Sequence, residues 1–336
     1  MSAVAAGAGR VEPLQAGASS HPLLRRLGTG AVLVAALVAI LIAVPGLRQV
    51  LVDLRGASDG WLALAIALEL ASCASFVVLF RHFFDGLSAR RARELAWTEM
   101  GSGALLPTGG AGALALGGWL MHLEGIPTEQ IVRRSGGLFF LSSAVSVSAM
   151  SLAGVLLGIG VSAGPGGTLA WALPAGGGVL VIVGAAALSG LAHRSRGRLA
   201  SSAPVRALAD GVSEALCALR HPSWRLFGAI GYLGFDIAVL GAALHAVHFS
   251  PPISVLILGY IIGYLGNLIP VPGSIGVLEG GLAAVLILYG APALETTAGV
   301  LIYHAVAFWI PSLGGLLGYR LLRGESAGEL TMAGRA

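Results

Sequence analysis

Four carboxylates and one histidine stand inside long apolar stretches of this chain: Glu69, Glu99, Asp236, Glu279 and His304. A charged side chain facing lipid at the centre of a bilayer costs about 2.5–3.5 kcal/mol or more. Such residues therefore face the interior of a helix bundle, where they are paired, protonated or hydrated. That is the chemistry of substrate binding or of ion and proton coupling, and all five are candidates for it. No catalytic constellation accompanies them. The sequence has no phosphate-binding Walker loop, no zinc-ligand spacing and no G-x-S-x-G nucleophile turn, so neither a cofactor nor a metal is expected. Cys73 and Cys217 give no disulfide framework.

The elements that must hold these groups are membrane helices. Of the 336 residues, 56% are hydrophobic and 11% charged, against about 25% charged in soluble domains. Six stretches are long and apolar enough for full spans, at about 29–46, 61–80, 135–160, 168–192, 225–248 and 295–320. Two others, about 94–124 and 253–290, are broken near the middle by proline and glycine. As helices, the arms of the second (Ile253–Ile269 and Gly276–Tyr289) would reach about 25 and 20 Å, short of a hydrocarbon core of about 30 Å. Each broken stretch therefore reads as a hairpin that enters the membrane and returns. The expected fold is an all-α polytopic membrane protein, with a disordered lead at 1–28, one integral domain at 29–322 and a short cytoplasmic tail at 323–336. In the linker 193–225, the spacing of Val205, Leu208, Val212, Leu216 and Leu219 predicts a surface helix. Trp61, Trp171, Trp224 and Trp309 fall near span ends, as an aromatic belt would place them.

The two hairpins resemble each other. "LLPTGGAGALALGGWLMHLEGIP" begins at Leu105 and "LIPVPGSIGVLEGGLAAVLILYGAP" at Leu268, and both run from a Pro/Gly tip through an apolar arm to Gly–x–Pro. The tips are Pro107, Gly109, Gly110 and Gly112 in the first, and Pro270, Pro272, Gly273 and Gly276 in the second. Each hairpin belongs to a series of span, span, hairpin, span, giving repeats of about 29–160 and 168–322. All 20 basic residues are arginine, and all but Arg48 and Arg55 fall on one side if the N-terminus is cytoplasmic, as the positive-inside rule requires. The C-terminus is then cytoplasmic too, and the second repeat is inverted relative to the first. Inverted repeats with discontinuous helices point to a transporter site near the midplane. The free N–H groups of arms that start near Gly112 and Gly276 suit an anion such as a lipid phosphate.

"GYLGNLIPVPGSIGVLEGGLAAVLILYG", followed by "LIYHAVAFWIPSLGG", resembles the flippase-like transmembrane family of lysylphosphatidylglycerol synthase. Its second signature, Pro–x–Pro–Gly–Gly–x–Gly–x–x–Glu, is matched by Pro270, Pro272, Gly273, Gly276 and Glu279, with Ser274 in place of a glycine. Its first, Leu–Pro–x–Gly–Gly, is matched by Leu106, Pro107, Gly109 and Gly110. Two positions depart from the pattern: Ala113–Gly117 lacks the arginine often found after the first turn, and His304 stands after Tyr303 where arginine is frequent. The resemblance covers about residues 29–322 and implies translocation of a lipid or lipid-linked envelope precursor in the plasma membrane. Synthase activity is not expected, because aminoacyl transfer belongs to a soluble domain these residues do not contain. The expected partner is membrane lipid, with no nucleic acid. A scaffold for a cell-envelope enzyme and an ion-coupled carrier of a small solute are the alternatives.

Overall fold

The computed structural model describes residues 55–105, 109–162, 164, 167–194, 203–265 and 277–333. The first expected span and the tip residues Pro107, Pro270, Pro272, Gly273 and Gly276 lie outside them. The protein is an all-helical, multi-pass membrane protein. Among the described residues, α1 (Asp59–Phe83), α2 (Ala89–Leu105), α3 (Gly109–Leu123), α4 (Thr128–Gly158) and α5 (Thr168–Arg194) come first. After them follow α6 (Ala203–Arg220), a 3-10 turn at Trp224–Leu226, α7 (Phe227–Ala246), α8 (Ile253–Gly263), α9 (Val277–Leu288) and α10 (Ala293–Ala333). Five of these helices, α1, α4, α5, α7 and α10, are long and apolar enough to cross a membrane. The 25 residues of α1 span about 37 Å. The 17 and 15 residues of α2 and α3, and the 11 and 12 of α8 and α9, span about 16–26 Å. Long apolar side chains on the outer faces, such as Leu173 and Leu180 of α5, are exposed, as lipid-facing positions should be.

Two local features close each hairpin in the same way. The return arm α3 ends at Gly125, where φ is +83°, and α9 ends at Gly290, where φ is +94°. Gly125 N–H donates to His122 and Ile126 N–H to Met121, while Gly290 N–H donates to Ile287 and Ala291 N–H to Leu286. This is a Schellman turn, whose left-handed residue favours glycine because a Cβ would crowd the following carbonyl. Pro127 and Pro292 then lead into α4 and α10, their carbonyls accepting from Ile131 and Thr296. The Gly–x–Pro spelling at both places thus ends one helix and starts the next.

Helices α1 and α7 form an antiparallel pair at the centre. Ser58 N–H bonds to the Ala246 carbonyl at one end, and Ser72 Oγ to the Tyr232 carbonyl in the middle. At the other end the His82 ring is hydrogen-bonded to Ser223. The backbones meet closely because Gly228 lies against the Ser75 carbonyl, where an added Cβ would come within 2.6 Å. The remaining packing is reciprocal: α2 of the first hairpin packs on α10, and α8 of the second packs on α4. The α2–α10 contact is backbone on backbone, since a Cβ on Gly101 would lie 2.7 Å from Gly315 Cα. Small residues at such crossings are what membrane helices use to approach closely.

One end of the bundle is laced by arginine. Arg134 pairs with Asp85 between α1 and α2, Arg133 with Glu214 of α6, and Arg91 with Glu124 after α3. Arg225 donates to the Arg81 carbonyl there. The first hairpin is rooted at this end. The second begins after Ala246, at the opposite end, where Tyr289 Oη donates to the Ala170 carbonyl of α5.

The linker forms the helix α6, on which Leu216 and Leu219 are exposed and Ala209, Val212, Ala215 and Ala218 are buried. Small residues win that face because α6 docks through Gly211 against Gly136 of α4, with 3.0 Å between an added Cβ and Gly136 Cα. Helix α10 runs on through the stretch after the last apolar span, as far as Ala333. Hydropathy falls beyond Arg323, but helix formation does not require apolar residues, and Leu, Arg, Glu and Ala there all favour it.

Candidate functional site

Four helices place polar side chains at the middle of the α1–α7 crossing. Asp236 of α7 accepts a 2.6 Å hydrogen bond at Oδ2 from Tyr260 of α8 and a 3.0 Å bond at Oδ1 from Tyr303 of α10. Both carboxylate oxygens are thereby engaged. The register that joins Ser72 of α1 to the Tyr232 carbonyl of α7 sets Glu69 opposite Asp236 on the antiparallel pair. One turn further along α1, the Cys73 thiol donates to Glu69 Oε1 at 3.6 Å. Glu69 Oε2 is buried and has no hydrogen-bond partner. Both acids are withdrawn from the surface, Glu69 at 4% exposure and Asp236 at 8%. Tyr264 stacks on Tyr260 at 5.3 Å.

A second polar pair lies beside it. Glu279, in the first turn of α9, approaches Nδ1 of His304 on α10 at 3.2 Å. A carboxylate belongs at a helix start because the unpaired N–H groups carry partial positive charge. His304 stacks on Phe308 with ring centroids 5.8 Å apart. Both members of the pair are only partly buried, with side-chain exposures of 17% for His304 and 14% for Glu279. Tyr303 and His304 are consecutive, so α10 touches Asp236 with one residue and Glu279 with the next.

The structure thus brings Glu69 together with Asp236, and Glu279 together with His304. It leaves Glu99 apart. Glu99 is buried within the first hairpin, its carboxylate lying over Gly117 of α3, where an added Cβ would be 2.9 Å from Oε2. Of the tip glycines, Gly109, Gly110 and Gly112 form the first turn of α3, and Gly112 is buried. Sequence reasoning missed Cys73, Tyr232, Tyr260, Tyr264 and Tyr303. Their signal was spacing: Cys73 follows Glu69 by four residues and Tyr264 follows Tyr260 by four, the interval that stacks side chains on one helix face.

Comparison with known proteins agrees with this architecture. The family model described as the lysylphosphatidylglycerol synthase TM region matches residues 29–315. A UPF0104 membrane protein of Methanothermobacter thermautotrophicus is 32% identical over 109 residues. Those residues are 32% of this chain and 31% of that relative, so the match spans about a third of the relative's length.

Proposed function

The chain belongs to the family of the lysylphosphatidylglycerol synthase TM region, and we propose that it moves a phospholipid or lipid-linked envelope precursor between the leaflets of the plasma membrane. The observation that carries this reading is the placement of the hairpins. They are rooted at opposite ends of the α1–α7 pair, and the second brings both Tyr260 and Glu279 to the buried polar groups. On this reading the chain is two inverted halves with both termini cytoplasmic. The matching glycine caps, the reciprocal packing of α2 on α10 and α8 on α4, and the arginines gathered at one end all support it.

A translocator must offer a polar head group partners that replace water. The Glu279–His304 pair supplies one of each kind: the carboxylate accepts from an ammonium or hydroxyl, and the imidazole donates to a phosphate. Being partly exposed, the pair can exchange its mutual contact for contacts with a head group at modest desolvation cost. Acyl chains remain in lipid beside the hairpins.

The test is leaflet exchange of a fluorescent phospholipid by the purified full chain in vesicles, read by quenching of the outer leaflet. Glu279→Gln keeps volume and removes charge. It should slow exchange by about tenfold or more, since a hydrogen bond to a charged group is worth about 1.5–3 kcal/mol and 1.36 kcal/mol is a factor of ten. The variant should still elute as a folded protein. Undiminished exchange by that variant sinks the role of Glu279. Absence of exchange by the wild type, with hairpin-dependent capture of an envelope enzyme, supports the scaffold instead.

A further inference from the structure

We propose that Glu69 and Asp236 together form a proton-binding site at the crossing of α1 and α7, the proton residing on Glu69. This deepens the translocator reading by naming its coupling ion, and only the coupling rests on that reading.

Each oxygen of Asp236 accepts a hydrogen bond, Oδ2 from Tyr260 and Oδ1 from Tyr303. Those two bonds stabilise a full negative charge on Asp236. Glu69 is in the opposite situation. Its Oε1 receives a weak thiol donor, and its Oε2 is buried without any hydrogen-bond partner. An ionised Glu69 would carry an unsatisfied charged oxygen beside a second carboxylate, which is the costliest way to bury an acid. A proton on Oε2 removes the charge and the repulsion in one step.

Among the described residues, no basic side chain acts on the pair. The titratable groups that face the pair are Cys73 on α1, Tyr232 on α7, Tyr260 and Tyr264 at α8, and Tyr303 on α10. None is basic. Among the described residues, neither acid is ion-paired with arginine or histidine, and no group of three or more histidine, cysteine or acidic side chains could hold a metal ion. A metal would also compete with two tyrosine protons already directed at Asp236. The chemistry is a simple exchange: carboxylate and a proton from water give the carboxyl, and the reverse step returns the proton to water. No bond to carbon changes and no redox partner is needed.

The location gives the proton mechanical consequence. Tyr260 belongs to the second hairpin and Tyr303 to α10, so both bonds to Asp236 cross between elements. Loss of the Glu69 proton places a second negative charge at the point where α1, α7, α8 and α10 meet. That charge drives Glu69 away from Asp236 and loosens the crossing of α1 and α7.

Infrared difference spectra of the full chain, recorded as pH is stepped, test the site without requiring transport. The wild type should show the carbonyl band of a buried protonated carboxyl that vanishes on titration. Glu69→Gln should lack the band and Glu279→Gln should retain it. Should Glu69→Gln not fold, Tyr303→Phe serves in its place, removing one donor from Asp236 and moving the titration midpoint. A band that persists in Glu69→Gln, or a midpoint unmoved by Tyr303→Phe, overturns the proposal. Leaflet exchange of a fluorescent phospholipid under an imposed pH gradient then tests coupling. Wild-type exchange should respond to the gradient and Glu69→Gln exchange should not. Exchange by the wild type that ignores the gradient overturns the coupling. A titrating band with no lipid exchange under any gradient overturns the translocator reading and leaves the proton site standing.

Discussion

In the first hairpin the two arms are separated by a side chain, Glu99 of α2, which lies over Gly117 of α3. In the second the arms touch through backbone: a Cβ on Gly263 of α8 would come within 2.6 Å of Leu282 Cα on α9. The first arm of hairpin one buries Glu94, Thr98, Glu99 and Ser102, whereas α8 buries almost only aliphatic residues with Ser254 and Tyr260. Hairpin two carries its acid on the return arm instead, and Glu279 reaches out of the hairpin to His304. The closing turns are nevertheless the same. The same closing turns thus frame different chemistry, and each hairpin places its polar groups separately. Hairpin one keeps its carboxylate inside as packing, and hairpin two presents its carboxylate to a neighbour.

The sharpest break of this comparison is at the arm contacts. Gly263→Ala must push backbone from backbone and should cost about 1–3 kcal/mol, the usual price of overpacking. Gly117→Ala asks only a flexible Glu99 side chain to move and should change stability by less than about 1 kcal/mol. Thermal unfolding of the two variants in the same detergent checks the order, and equal losses would erase the distinction. The closing turns should behave alike. Gly125→Ala and Gly290→Ala each place a side chain at positive φ, at about 1–2 kcal/mol apiece. A cost at only one of them would show that the two caps are not equivalent in the energetics of the fold. The smallest effect belongs to Glu99→Gln, which should leave lipid exchange within about twofold of wild type, because the Glu99 carboxylate lies over Gly117 of its own hairpin. Loss of exchange there comparable to Glu279→Gln would return chemistry to the first hairpin.

Much of the fold was legible because hydropathy and helix period report separate things that coincide in a membrane span. The stretch 225–248 became Phe227–Ala246, and 61–80 became Asp59–Phe83. Where the two signals part, the boundaries moved. The helix expected from 135 starts at Thr128, because Pro127 sets its first turn while Arg133 and Arg134 ride on it outside the apolar zone. The site was half legible. An acid inside an apolar run announces itself by cost, so Glu69, Asp236 and Glu279 stood out. Tyrosine does not, since its ring reads as apolar and its hydroxyl becomes informative only once a partner is known. Pairing needs the register of α1 on α7, and the sequence of either helix alone does not contain it.

The consecutive residues Tyr303 and His304 have a consequence of their own. Neighbouring side chains on a helix point about 100° apart, so Asp236 and Glu279 grip α10 from two directions around its axis. A twist of α10 that shortens one grip lengthens the other. The helix can therefore act as a crank: a torque applied at Glu279 is delivered as slack or tension at Asp236. Pro311, seven residues on within the same helix, lacks the N–H that would tie that turn to the preceding one, so the twist need not be carried past it to the arginine end.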